Sequence, residues 1–104
     1  MANFTAEWDR IRENRPTITI LEKSDKKIDR LAARLLNGFP VTGRTMIEVF
    51  NIYSYRDAIF GLSKKGYKIS RKVITSANKV EHCVWWLTEF SEDFVKTRNP
   101  EMFR

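Results

Sequence analysis

A chain of 104 residues that is 42% hydrophobic, 12% aromatic and 31% charged has the make-up of one small folding domain, not that of a disordered or membrane-embedded chain. Its longest unbroken apolar run, Cys83–Leu87, is far short of the roughly 20 residues a membrane helix needs, and MANFTAEWDR offers no apolar stretch for an export signal. With one cysteine and no internal disulfide to form, the expectation is a cytoplasmic protein without a membrane partner.

The net charge of +6 is unevenly placed. Between Tyr53 and Val80 seven basic residues face a single acid, Asp57, while the rest of the chain balances at twelve and twelve. A single-sign cluster inside a balanced chain is either a solvated face or a surface for an anionic partner.

In chain order, Thr5 can cap a helix over Thr5–Asn14 that carries Phe4, Trp8 and Ile11 at helical spacing, and Arg15-Pro16 is expected to end it. The alternating, β-branched Thr17–Leu21 (TITIL) reads as a short strand or an extended linker. Ser24 or Asp25 then caps a core helix on which Ile28, Leu31, Ala32, Leu35 and Leu36 share one face, stopped by Asn37-Gly38. Phe39-Pro40-Val41 is a brief extended passage, Thr42 caps a short helix with Met46, Ile47, Val49 and Phe50, and Asn51 marks a turn that favours positive φ.

Ser54 and Asp57 have the spacing of a capping box, so the next helix begins at Tyr55 and closes at Lys65-Gly66. At 100° per residue Tyr55, Ala58, Ile59 and Leu62 face the core, and Arg56, Asp57, Phe60 and Lys64 face outward. A hairpin follows, with strands over 67–75 and 82–88 joined by Ser76-Ala77-Asn78-Lys79, and with Ile69 and Val73 on one side. A last helix over Ser91–Arg98 presents Phe94 to the body beside Phe90, and Asn99-Pro100 releases a tail expected to fray.

Phe50-Asn51-Ile52, followed by Arg56-x-x-Ile59-x-x-Leu62-x-x-x-Gly66-Tyr67-x-Ile69, resembles the helix-turn-helix domain of many short phage and prophage proteins. In that family an arginine opens the recognition helix, Ile and Leu pack it, Gly-Tyr-x-Ile leads into a wing, and a threonine caps the preceding helix, as in Pro40-Val41-Thr42 here. The likeness spans about Asp25–Leu87 and departs from the family at Asn51, where glycine is usual, and at Met46, where a small residue is usual. It implies an α+β fold of the winged helix-turn-helix type, a three-helix core plus a two-stranded wing over 24–88. An N-terminal helix and strand or linker (1–23) and a C-terminal helix and tail (89–104) are added to it.

The function implied is sequence-specific binding of double-stranded DNA by a phage-type regulator of transcription, excision or replication, with no enzymatic activity and no cofactor. Helix 54–65 would enter the major groove, with Arg56, Asp57, Phe60 and Lys64 at the bases. Thr42, Arg44, Ser54, Lys65, Lys68, Arg71, Lys72 and Lys79 would hold phosphates, the last four from the hairpin and its flank. Phe60 beside Asp57 would equally suit a protein partner, so the second reading is a module of the same fold that blocks a host protein. Trp8, Phe90 and Phe94 on the terminal helices suggest a second copy of the chain as their cover. His82 and Cys83 point to opposite faces of a strand and cannot make a metal site between them.

Overall fold

A computed structural model describes residues 3–104. Helix α1, Thr5–Glu13, is followed after the single residue Asn14 by α2, Arg15–Glu22. Thr5 is the first helical residue here and not its cap: Phe4 is the N-cap, and the Asn3 side chain accepts from the Thr5 N–H at 3.0 Å. TITIL is helix, which corrects the strand or linker expected there. Pro16 stands in the first turn, where its missing N–H costs nothing, so Arg15-Pro16 starts a helix instead of stopping one. Alternation would treat Ile18 and Ile20 alike, yet Ile18 is 0% and Ile20 71% exposed. The Thr19 hydroxyl donates to the Arg15 carbonyl one turn back at 2.9 Å, a bond only helical backbone allows.

Helix α2 packs along α3, Lys27–Leu36, which buries Leu31, Ala32, Ala33, Leu35 and Leu36. Neither Ser24 nor Asp25 is its N-cap, which is Lys26; Ser24 Oγ instead accepts from the Lys26 N–H and donates to Asp29 Oδ2 at 2.7 Å. The helix stops where expected. Gly38 has φ +77°, and a Cβ there would meet Phe94 Cε2 at 2.6 Å and Ile11 Cδ1 at 3.2 Å, so glycine is required both by backbone conformation and by the close approach of α1 and the C-terminal helix.

The chain then extends into β1, Val41–Thr42, and enters α4, Gly43–Glu48, capped by Thr42 Oγ1, which accepts from the Thr45 N–H at 3.1 Å. Asn51 takes φ 58° in the turn, as anticipated, and α5 runs from Tyr55 to Lys64. Strands β2, Ile69–Thr75, and β3, Glu81–Leu87, form the hairpin, closed by a Ser76 N–H to Val80 carbonyl bond of 3.0 Å. The sheet has three antiparallel strands in the order β1-β3-β2, because Val41 pairs with Trp85 and Thr42 with Val84. The two-stranded expectation missed β1, which at two residues has no periodicity to read.

Helix α6, Glu92–Arg98, is capped by Ser91 Oγ accepting from the Phe94 N–H, and Pro100–Phe103 closes the chain as a 3₁₀ turn. This end is not frayed: His82 Nε2–H donates to the Met102 carbonyl at 2.8 Å, and Phe103 lies against Trp86 with ring centroids 5.9 Å apart. Phe90 and Phe94 stack at 5.6 Å and are buried within the chain, and Phe94 also meets Phe4 and Trp8 edge-on. Among the three aromatics expected to seek a second copy, only Trp8 remains partly exposed. One core cluster joins Ile11 and Ile18, the α3 and α5 leucines, Val84, Leu87, Phe90 and Phe94, so the terminal segments share it with residues 24–88. The fold is α+β, and no helix of the described residues is long and apolar enough to cross a membrane.

Candidate nucleic-acid interface

The two faces of α5 fall as the 100° periodicity requires. Tyr55, Ala58 and Ile59 are partly buried and Leu62 is fully so, whereas Arg56, Asp57, Phe60 and Lys64 all face solvent. Nothing else among the described residues covers that outer face. Phe60 is 61% exposed, and Lys64 Nζ sits 4.7 Å from its ring centroid, so the ring and the ammonium shelter each other in a cation–π contact. Ser54 is the N-cap residue, but its side chain makes no cap bond and the capping box with Asp57 does not form. The Ser54 hydroxyl is thereby left available at the exposed start of the helix.

Strand alternation sorts the hairpin cations onto two sides. Ile69, Arg71, Val73 and Thr75 share the front face with Cys83, Trp85 and Leu87, and this face looks toward α5, where Tyr55 and Trp85 have ring centroids 6.0 Å apart. Ser70, Lys72 and Ile74 share the back face with His82, Val84 and Trp86, and that face is occupied by α6 and the 3₁₀ turn. Lys72 accordingly pairs with Glu92 at 3.0 Å. Lys68 lies just before β2, beside Tyr67, Thr88 and Asn14, in a shallow hollow remote from α5's first turn. Lys79 takes φ 61° at the hairpin tip. The basic residues expected to form one continuous patch are thus divided: Arg56, Lys64 and Lys65 belong to α5 and Arg71 to the front of the hairpin, while Lys72 is turned away.

The α4 side contributes less than its sequence suggested. Thr42 is largely buried and its hydroxyl is taken up by Thr45, so it positions α4 and offers little surface to a phosphate. Arg44 is exposed and bonds Glu48 Oε1 at 2.9 Å, an i,i+4 surface pair of the kind worth about 0.3–0.5 kcal/mol and easily exchanged for another anion. Gly43 lets the two helices meet: a Cβ there would lie 2.9 Å from the Tyr55 ring.

Between the first turns of α4 and α5, the outer half of the hairpin and the 3₁₀ turn lies an open groove of about 790 Å³, whose lining includes Arg44, Arg56, Val73, Val80 and Met102. Sequence reasoning missed it because the 3₁₀ turn that builds one wall is placed by the long-range His82–Met102 bond. Val73, on the same side as Ile69, is half exposed at this groove, since α5 ends its cover of the sheet near Trp85. Val49 and Tyr53 are also exposed, at the corner between α4 and α5. No three His, Cys, Asp or Glu side chains of the described residues gather as metal ligands. Comparison with protein-family models, with curated proteins and with solved structures gives no match, so the reading of this surface rests on its own chemistry.

Proposed function

We propose that this protein binds double-stranded DNA as a winged helix-turn-helix of the phage-regulator type, with α5 in the major groove and the hairpin against the neighbouring backbone. The observation that carries the reading is the unshielded outer face of α5, where Arg56, Asp57, Phe60 and Lys64 are exposed together beside the front of a basic hairpin. An α-helix fits a major groove, and only side chains on such a free face reach base edges. Element order agrees, since a third short strand pairs with the hairpin just before the helix pair.

Within this reading each group has a task. Arg56, near the N-terminus of α5, makes two hydrogen bonds to a guanine; Phe60 meets a thymine methyl; Asp57 accepts from cytosine; and Lys64 covers the helix end. Arg71, Lys65, Lys79 and Arg44 hold phosphates, and Ser54 donates from the helix start. The test is a titration of duplex affinity against salt. About five neutralised phosphates give a slope of log K on log salt near −4 to −5.

A second reading is favoured by the exposure of three large apolar or aromatic side chains, Val49, Tyr53 and Phe60, at the end of α4, in the turn and on α5. It makes the same surface a docking site for an acidic protein of the host. A flat salt dependence, or no duplex affinity at low salt, selects this reading over DNA binding.

A further inference from the structure

A second group of cations lies outside α5 and the hairpin, around the ring of Phe39 in the loop between α3 and β1. The Arg98 guanidinium carbon stands 3.9 Å from the Phe39 centroid and 4.8 Å from that of Trp8, with Phe94 at 5.5 Å. Arg34 lies over the same Phe39 ring at 5.3 Å and donates from Nε to the Pro40 carbonyl. Arg15, from the first turn of α2, reaches across to Asn37 Oδ1 at 3.3 Å, and its charge acts on Arg98. Three guanidinium groups from three different helices are gathered at one place.

No acid answers them. The ion pairs of the described residues use Arg10, Arg12, Arg44, Lys72 and Arg104, and none uses Arg15, Arg34 or Arg98. Arg98 Nε is buried without a hydrogen-bond partner, which is unfavourable for a charged donor. Burial lowers the proton affinity of both Arg34 and Arg98, and Arg15 lowers that of Arg98 further. Aromatic faces offset part of this cost but do not neutralise charge. They also hold the guanidinium groups of Arg34 and Arg98 in place over fixed rings.

We propose that Arg98 and Arg34, held against Phe39 and Trp8, form with the neighbouring Arg15 a binding site for a phosphate group. A free or monoester phosphate suits the cluster better than a carboxylate because it brings two negative charges and three acceptor oxygens to three forked donors, whereas a duplex phosphodiester brings one charge and two oxygens. The source of the phosphate is either a free or small-molecule phosphate or the backbone of a duplex. The site contains no residue of α5 or the hairpin and stands whether or not that surface reads DNA.

Trp8 is part of the cage and reports on it. The full chain is titrated with sodium phosphate, with sodium acetate and with sodium chloride at matched ionic strength, following tryptophan emission, with Trp8→Phe as the blank. Phosphate is expected to give a saturable change that chloride does not, and Arg98→Gln to weaken it by about tenfold or more, the loss expected for a charge-assisted hydrogen bond. Because Arg98 is partly structural, Arg15→Gln, at an exposed position, serves as the second variant and is expected to weaken the same signal. Equal responses to phosphate and chloride, or saturation indifferent to both variants, overturn the site; acetate acting as well as phosphate overturns the ligand class. Arg15→Gln lowering duplex affinity in parallel identifies the backbone as the source, and unchanged duplex affinity identifies a free phosphate.

Discussion

The front and back of the hairpin carry similar residues and meet different fates. On the front, Arg71 and Val73 stand beside the first turn of α5 with solvent before them; on the back, Lys72 and Ile74 meet α6 and the 3₁₀ turn, and Lys72 is tied to Glu92. Adjacent cations, Arg71 and Lys72, are therefore separated by the thickness of a sheet. The lesson is that a charge count along a strand overstates a patch by up to twofold, because successive side chains point to opposite faces and only one of them is free. Front-face changes should alter binding at constant stability, and back-face changes the reverse.

The largest expected effect is at the cover of the back face. Phe94→Ala removes a ring that is buried and touches Phe4, Trp8 and Phe90, and should cost about 3–5 kcal/mol in a denaturant melt. A loss under about 1 kcal/mol, within the range of surface substitutions, would mean that the terminal helices are not part of the core. Gly38→Ala comes next, at about 1–3 kcal/mol, since it combines a left-handed backbone with a 2.6 Å clash against that same ring. Its effect should shrink in a Phe94→Ala background, where the clash is gone and only the backbone strain remains.

On the front, Arg56→Ala should lower duplex affinity by about 1–3 kcal/mol and relax preference at one base pair, while the melting midpoint stays within the equivalent of about 0.5 kcal/mol. A selection from random duplexes before and after the substitution checks both parts. The smallest contrast is the sharpest: Arg71→Ala should reduce the magnitude of the salt slope by about 1, and Lys72→Ala should leave it unchanged. Equal changes from the two would show that the Lys72–Glu92 pair opens to the same ligand and that the division of faces has no bearing on binding.

The legibility of the candidate surface followed the same physical line. Both faces of α5 could be read because helical periodicity is local, and Thr42 could be read as a cap because the bond spans three residues. The capping box at Ser54 failed although its spacing was right: Ser54 has ψ 60°, not the extended backbone with which Thr42 and Ser91 reach the helix N–H groups. Thr42 could not be read as buried, because β1 and the groove around it exist only through pairing with Val84 and Trp85 over forty residues away.

The amino-acid sequence alone determined where α3, α5, α6 and the hairpin lie, which side of α5 is apolar, and that the surplus charge falls between Tyr53 and Val80. These depend on neighbours within a turn or two. Tertiary structure alone decided that TITIL is helical, because a β-branched segment takes the conformation that lets Ile18 enter a core built by α3. It decided that the C-terminal turn folds back on His82 and Trp86, and that Arg34 and Arg98 meet over Phe39 while Arg15 reaches the adjacent Asn37. Such contacts join residues distant in the chain, where periodicity and spacing carry no information.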